Sequence, residues 1–104
     1  MAQDIHEVRD GLQIQLVGES VSYAVNTTKW GGTPTSPSVD VFDEEDFGTS
    51  LKVATMGASN PTVSGDDINL PLFGSLTAGI IYRIIVTFTL GGNTLIGFIR
   101  VQAK

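Results

Sequence analysis

Cysteine is absent from the 104 residues, which removes disulfide staples, thiol nucleophiles and the usual zinc–thiolate sites. That absence leaves the redox compartment open. Histidine occurs once, as His6. An acid–base or triad mechanism built on it would need a partner to hold the ring and a nucleophile in front of it, and the polar stretch around His6 promises neither. Basic side chains are scarce. Six Lys and Arg against eleven Asp and Glu give a net charge of −5, the wrong balance for gripping a phosphate backbone or an anionic lipid surface. No run approaches the roughly 20 apolar residues of a transmembrane helix. The start, Met1-Ala2-Gln3-Asp4-Ile5-His6-Glu7, shows neither the basic nor the apolar part of a secretory signal. No stretch carries a sustained helical repeat with caps, and a helical turn is expected only near Glu44.

What is present is β pattern. With 41% hydrophobic and 16% charged residues the chain can fold around one core, as a single domain. The strongest signal is the stretch Leu76 to Val101. It reads as a long strand, a Gly91-Gly92-Asn93 reversal and a second strand, with β-branched and aromatic residues filling both runs. Alternation splits this hairpin into two faces. Tyr82, Ile84, Val86 and Phe88, with Leu95, Gly97, Ile99 and Val101, form the expected core face. The other face carries Arg83, Thr87, Thr89 and Arg100, but also Ile85, Ile96 and Phe98. Three large apolar residues on one outward face predict either a covering layer from the chain itself or a protein partner.

Upstream, residues 1–11 read as a polar N-terminal arm with apolar points at Ile5 and Val8, and residues 12–104 as the folded domain. Leu12, Ile14 and Leu16 alternate with Gln13, Gln15 and Val17 in a half-buried strand, and Val21, Tyr23 and Val25 mark a second. Thr28 to Ser38, with Trp30, Gly31, Gly32, Pro34 and Pro37, is a loop by composition. Trp30 is read as a plug for one end of the core, with ligand stacking as the alternative. Val39 and Val41 resume alternation, Leu51, Val53 and Met56 suggest a short strand, and Ser64-Gly65-Asp66-Asp67 turns the chain into Ile68, Leu70 and Leu72. Some seven short strands, with turn residues every ten or so positions, predict an all-β Greek-key sandwich.

The polar constellations offer little chemistry. Asp43-Glu44-Glu45-Asp46 and Asp66-Asp67 are adjacent carboxylates in turns, where they are solvated more often than catalytic. Calcium is the functional alternative for the 43–46 loop, though its spacing matches no EF-hand. Asn26-Thr27-Thr28 fits a glycosylation acceptor, read here as a strand end. Gly31-Gly32 and Gly91-Gly92 have no following lysine or helix, so they are turn residues and not a phosphate cradle.

Leu76-Thr77-Ala78-Gly79 followed by Tyr82 resembles the approach to the penultimate strand of immunoglobulin-like and fibronectin type III domains. The resemblance implies that Leu76 plugs the sandwich end and Tyr82 closes the corner by bonding to backbone. A narrower likeness covers about residues 36 to 102. Ser36-Pro37-Ser38-Val39-Asp40-Val41-Phe42-Asp43-Glu44, Pro61-Thr62-Val63-Ser64-Gly65-Asp66 and Leu76-Thr77-Ala78-Gly79 with Tyr82-Arg83 resemble small Ig-like virion proteins of tailed bacteriophages. That family includes capsid decoration (cement) proteins and fibre–tail adaptors. The resemblance implies a non-enzymatic structural protein of the virion, placed on the capsid surface or tail and working as several copies. Its partner would be the major capsid protein or another virion protein, with no cofactor and no metal. A fibre–tail adaptor is the first alternative, and an extracellular carbohydrate- or calcium-binding module using Trp30, Tyr23 and the acidic loop the second. The expected contact residues are Ile85, Ile96 and Phe98, with Ile5 and Val8 of the arm.

Overall fold

The structure is a computed structural model, described for residues 4–46 and 48–104, with residues 4–12 and Lys29 described by their backbone alone. Seven strands and one short helix follow in the order β1 (Asp4–Gln15), β2 (Ala24–Asn26), β3 (Thr35–Asp43), α1 (Lys52–Met56), β4 (Thr62–Ser64), β5 (Asp67–Asn69), β6 (Ile81–Leu90) and β7 (Asn93–Ala103). A 3-10 turn at Thr28–Trp30 stands between β2 and β3. The strands form two sheets, one ordered β1-β7-β6-β3 and the other β2-β5-β4. The expected all-β sandwich of about seven strands is the fold observed.

The β6–β7 hairpin occupies the middle of the larger sheet because its register lets one face be wholly apolar. Leu90 pairs with Asn93 across Gly91 and Gly92, and the pairing then runs unbroken to Ile81 opposite Gln102. Both glycines have positive φ, +56° and +85°, the twist a two-residue hairpin turn requires. Ile84 faces Ile99, Val86 faces Gly97 and Tyr82 faces Val101, and all six are buried. Val39 and Val41 extend that surface from β3, while Val25, Ile68, Leu70 and Phe73 cover it from the other side. Fully burying each such side chain contributes about 1.5–3 kcal/mol relative to leaving it in water. Phe73 sits at the centre of an aromatic cluster, edge-on to Tyr82 at 5.5 Å and to Tyr23 at 6.3 Å between ring centroids.

Both ends of the core close as the residues suggest. The Trp30 ring stacks on Phe88 at 5.9 Å and packs against the core, so it is the plug. At the other corner the Thr77 backbone N–H donates to the Tyr82 hydroxyl at 2.8 Å, with Leu76 buried beside it.

Elsewhere the local pattern misleads, for identifiable reasons. Of the apolar set of the first strand, Ile14 and Leu16 point outward, 53% and 57% exposed, while Gln15 is 0% exposed. Gln15 holds the interior position because its amide has polar partners there, described below. Leu51–Met56 is not a strand; it supplies α1 and the residue before it. Five residues are too few for a helical period to show. No helix forms at Glu44, which lies in a turn. β3 begins at Thr35, inside the stretch expected to be loop, and is irregular between Thr35 and Ser38 where it absorbs Pro37. After Leu70, Pro71 breaks the alternation, so Phe73 is buried and Leu72 is 62% exposed.

β1 pairs parallel with β7 across residues on both sides of the expected arm boundary at residue 11. The pairing is in two parts. Asp4 to Glu7 lie opposite Leu95 to Phe98, and Leu12 to Gln15 lie opposite Arg100 to Ala103. Between Glu7 and Leu12 the chain takes five steps while β7 takes two, so three residues are extra on the β1 side.

Candidate functional site

The outward face of the four-stranded sheet gathers the residues singled out on the hairpin. Ile85 lies directly opposite Phe98, and Thr87 opposite Ile96. On the flanking strand Asp40 pairs with Ile85 and Phe42 with Arg83, which puts Phe42 on the same face. Ile85, Ile96, Phe98 and Phe42 are half-buried. The three-stranded sheet packs on the Tyr82 side, so these four face away from the core. Ile5 pairs in register with Ile96. The side chains of Ile5 and Val8 lie outside the described residues.

A charged cluster shares this face. Register places Arg83 directly opposite Arg100, and like charges facing across a ladder repel. Glu44 resolves the conflict. Its backbone N–H donates to the Ile81 carbonyl at 2.9 Å, continuing the β3–β6 pairing one residue further and keeping its side chain on the outward face. Its carboxylate accepts from Arg100 twice, Nε to Oε1 at 2.7 Å and Nη2 to Oε2 at 2.9 Å, and from Arg83 Nη2 to Oε1 at 2.6 Å. The two-pronged Arg100 contact is the strong form of the pair. These hydrogen bonds from Arg100, opposed by partial burial and reinforced by Arg83, hold the Glu44 carboxyl below its ordinary pKa. It is therefore an ionised acceptor at neutral pH and a poor proton donor. The Arg83 guanidinium also lies over the Phe98 ring, 4.6 Å from its centroid, a cation–π contact tying the charged cluster to the apolar one.

The sequence presents Glu44 only as part of the acidic 43–46 loop, and Arg83 and Arg100 only as polar residues of the hairpin's outward face, although the signal for their pairing is there. Counting seven residues outward from Leu90 and from Asn93 reaches Arg83 and Arg100. Two arginines at equal distance from one turn must face each other, and an acidic partner is then required. Glu44 itself is separated from them by a whole strand, and only the β3–β6 register brings it in.

The other candidates are accounted for locally. Asp43 Oδ1 accepts from the Glu45 N–H and Asp46 Oδ1 from the Gly48 N–H, both at turn spacing. With Glu44 engaged by arginines, the acidic loop aims no set of carboxylates at one point. Among the described residues no group of three His, Asp or Glu side chains could hold a metal ion. A small pocket beside the loop is lined by Asp43 to Glu45 and Gly79 to Ile81. At the far end, Asp66 accepts from the hydroxyls of Thr28 and Thr33, and Asp67 from the Asn26 amide. These bonds fasten the Trp30 loop to the β4–β5 turn.

Against protein-family models, curated proteins and solved structures, the chain shows no significant match.

Proposed function

We propose that this chain is a non-enzymatic virion structural protein that docks on other proteins through the outward face of its four-stranded sheet. In the preferred setting it decorates the capsid of a tailed phage, binding the major capsid protein and reinforcing the shell. The single observation that carries the docking reading is the cluster of Ile85, Ile96 and Phe98 on the side away from the core, with Arg83 held over Phe98 by Glu44. Aromatic and arginine side chains fixed in place are what protein interfaces concentrate. An arginine already braced by a carboxylate and a ring loses little freedom on contact. Completing the burial of the three half-buried side chains would contribute a part of the about 1.5–3 kcal/mol that a full burial gives, before association costs. Modest affinity per copy suffices when many copies attach together. The phage setting rests on the likeness of residues 36 to 102 to virion proteins.

The test is a double variant, Ile96→Ser with Phe98→Ser, in a sedimentation assay with capsids that lack tails. The parent protein pellets with the capsids and the variant, still folded by circular dichroism, stays in solution. Equal incorporation of both would remove the sheet face from the reading. Recovery only with tailed particles would move the protein to the fibre–tail junction.

A further inference from the structure

We infer that the first segment of β1, Asp4 to Glu7, can exchange between copies of this chain and pair on β7 of a neighbour. The inference does not rest on the docking face. It follows from how β1 is built into the sheet.

β1 is an edge strand whose one neighbour in the sheet is β7, and the irregularity between Glu7 and Leu12 divides it into two short pairings. Side-chain and backbone bonds anchor the second. There the buried Gln15 side chain bonds to Phe73, Glu19 and Tyr23. The Gln15 carbonyl accepts from the Lys104 N–H, and the Val17 N–H donates to the Lys104 carbonyl, extending the ladder. The first pairing, against Leu95 to Phe98, is joined to this anchor through Val8 to Gly11. Those four residues stand opposite Ile99 alone, more chain than the register needs. Extended, they reach at most about 14 Å, enough to carry Asp4–Glu7 off its own β7 and onto a copy lying alongside.

Exchange of identical segments conserves every ladder hydrogen bond, so the two arrangements differ mainly in entropy and in hinge strain. A short tether keeps the segment at an effective concentration on the order of millimolar near its own β7. Exchange therefore gains ground where copies are crowded to a similar local concentration. The edge of β7 that this leaves open, Leu95 to Phe98, is paired in the fold by a parallel strand, and the segment of matching register is a second copy's own Asp4–Glu7.

The absence of cysteine makes the test direct. Ile5 and Ile96 are register partners, so Ile5→Cys in one chain and Ile96→Cys in another should form a mixed disulfide when the two are concentrated together in air with a copper catalyst as oxidant. The expected product is a disulfide joining the Ile5→Cys peptide to the Ile96→Cys peptide, identified by mass spectrometry after digestion, in excess over the corresponding cross-peptide when Ile5→Cys is mixed with Val53→Cys, an exposed site on α1. The double variant Ile5→Cys/Ile96→Cys in one chain should close internally when dilute and shift to a band of doubled mass on a non-reducing gel as concentration rises. Circular dichroism of each single variant fixes that it is folded. No mixed disulfide above the Val53→Cys control, whether or not the double variant closes, overturns the inference.

Discussion

The Tyr23 hydroxyl donates to Oε1 of Gln15 at 3.0 Å, deep enough that both side chains are buried. The bond runs from the residue just before β2 to the end of β1, so it ties one sheet to the other. On its far side the Gln15 amide donates to the carbonyls of Phe73, at 2.8 Å, and Glu19, at 3.0 Å. A polar side chain can hold a core position when its donors and acceptor are satisfied together, and this one keeps both sheets and the 16–20 turn in register.

Replacing Gln15 by leucine keeps the volume and deletes all three bonds. The Phe73 carbonyl and the Tyr23 hydroxyl are then buried without that partner, and the loss should be about 2–4 kcal/mol by urea denaturation. Tyr23→Phe removes one bond and should cost about 1 kcal/mol. The double variant should cost less than the sum, because the two changes share a bond. Strict additivity would mean the Tyr23–Gln15 contact contributes nothing.

The two faces of the central hairpin should separate cleanly in stability. Phe88→Ala empties a site that is 0% exposed and should cost about 3–5 kcal/mol. Phe98→Ala, half-buried on the outward face, should cost no more than about 1.5 kcal/mol. Comparable losses in chemical denaturation would show that Phe98 is a core residue and unavailable to a partner.

Glu44→Gln removes the charge that reconciles Arg83 with Arg100. The native carboxyl titrates below its unfolded value, so its contribution is complete above the unfolded pKa, about 4.3, and disappears as pH falls through the lower native one. At pH 7 the variant should be less stable by about 1 kcal/mol, since the pair is partly exposed. The gap should close as the pH is lowered below the unfolded value and through the lower native one. Melting curves for the two proteins that stay parallel over this range would contradict the linkage.

Tyr82→Phe tests the corner. The Thr77 N–H loses its acceptor while the ring stays against Phe73, and the expected cost is about 1–1.5 kcal/mol. Thermal denaturation with no change would mean that water replaces the hydroxyl at that amide.

Much of this architecture was legible where local chemistry and global packing agree. Gly91-Gly92, the β-branched runs on either side and the period of two fixed the central hairpin and its core face, and Trp30 and Tyr82 took the end-plug and corner roles expected of them. The reading failed where a distant partner decides. Gln15 turns inward because Tyr23 and the Phe73 carbonyl are waiting, which no alternation rule can know. α1 is held by packing against β3, not by its own five residues. On the outward face, the apolar residues could be read off a single strand. The Arg83–Glu44–Arg100 bridge needed the register of three.

The two middle strands of the larger sheet, β6 and β7, come last in the chain, while β1 and β3, made earlier, lie at its rims. On the ribosome, then, the rims emerge before there is anything to rim. β1 finds its parallel mate only once residues 93–103 have left the exit tunnel, some 90 positions after its own. Assembly of this sheet is accordingly late relative to the synthesis of β1 and β3, with a slow, long-range closure. A nascent chain that stalls before residue 93 would expose its early strands to whatever chaperone stands nearest.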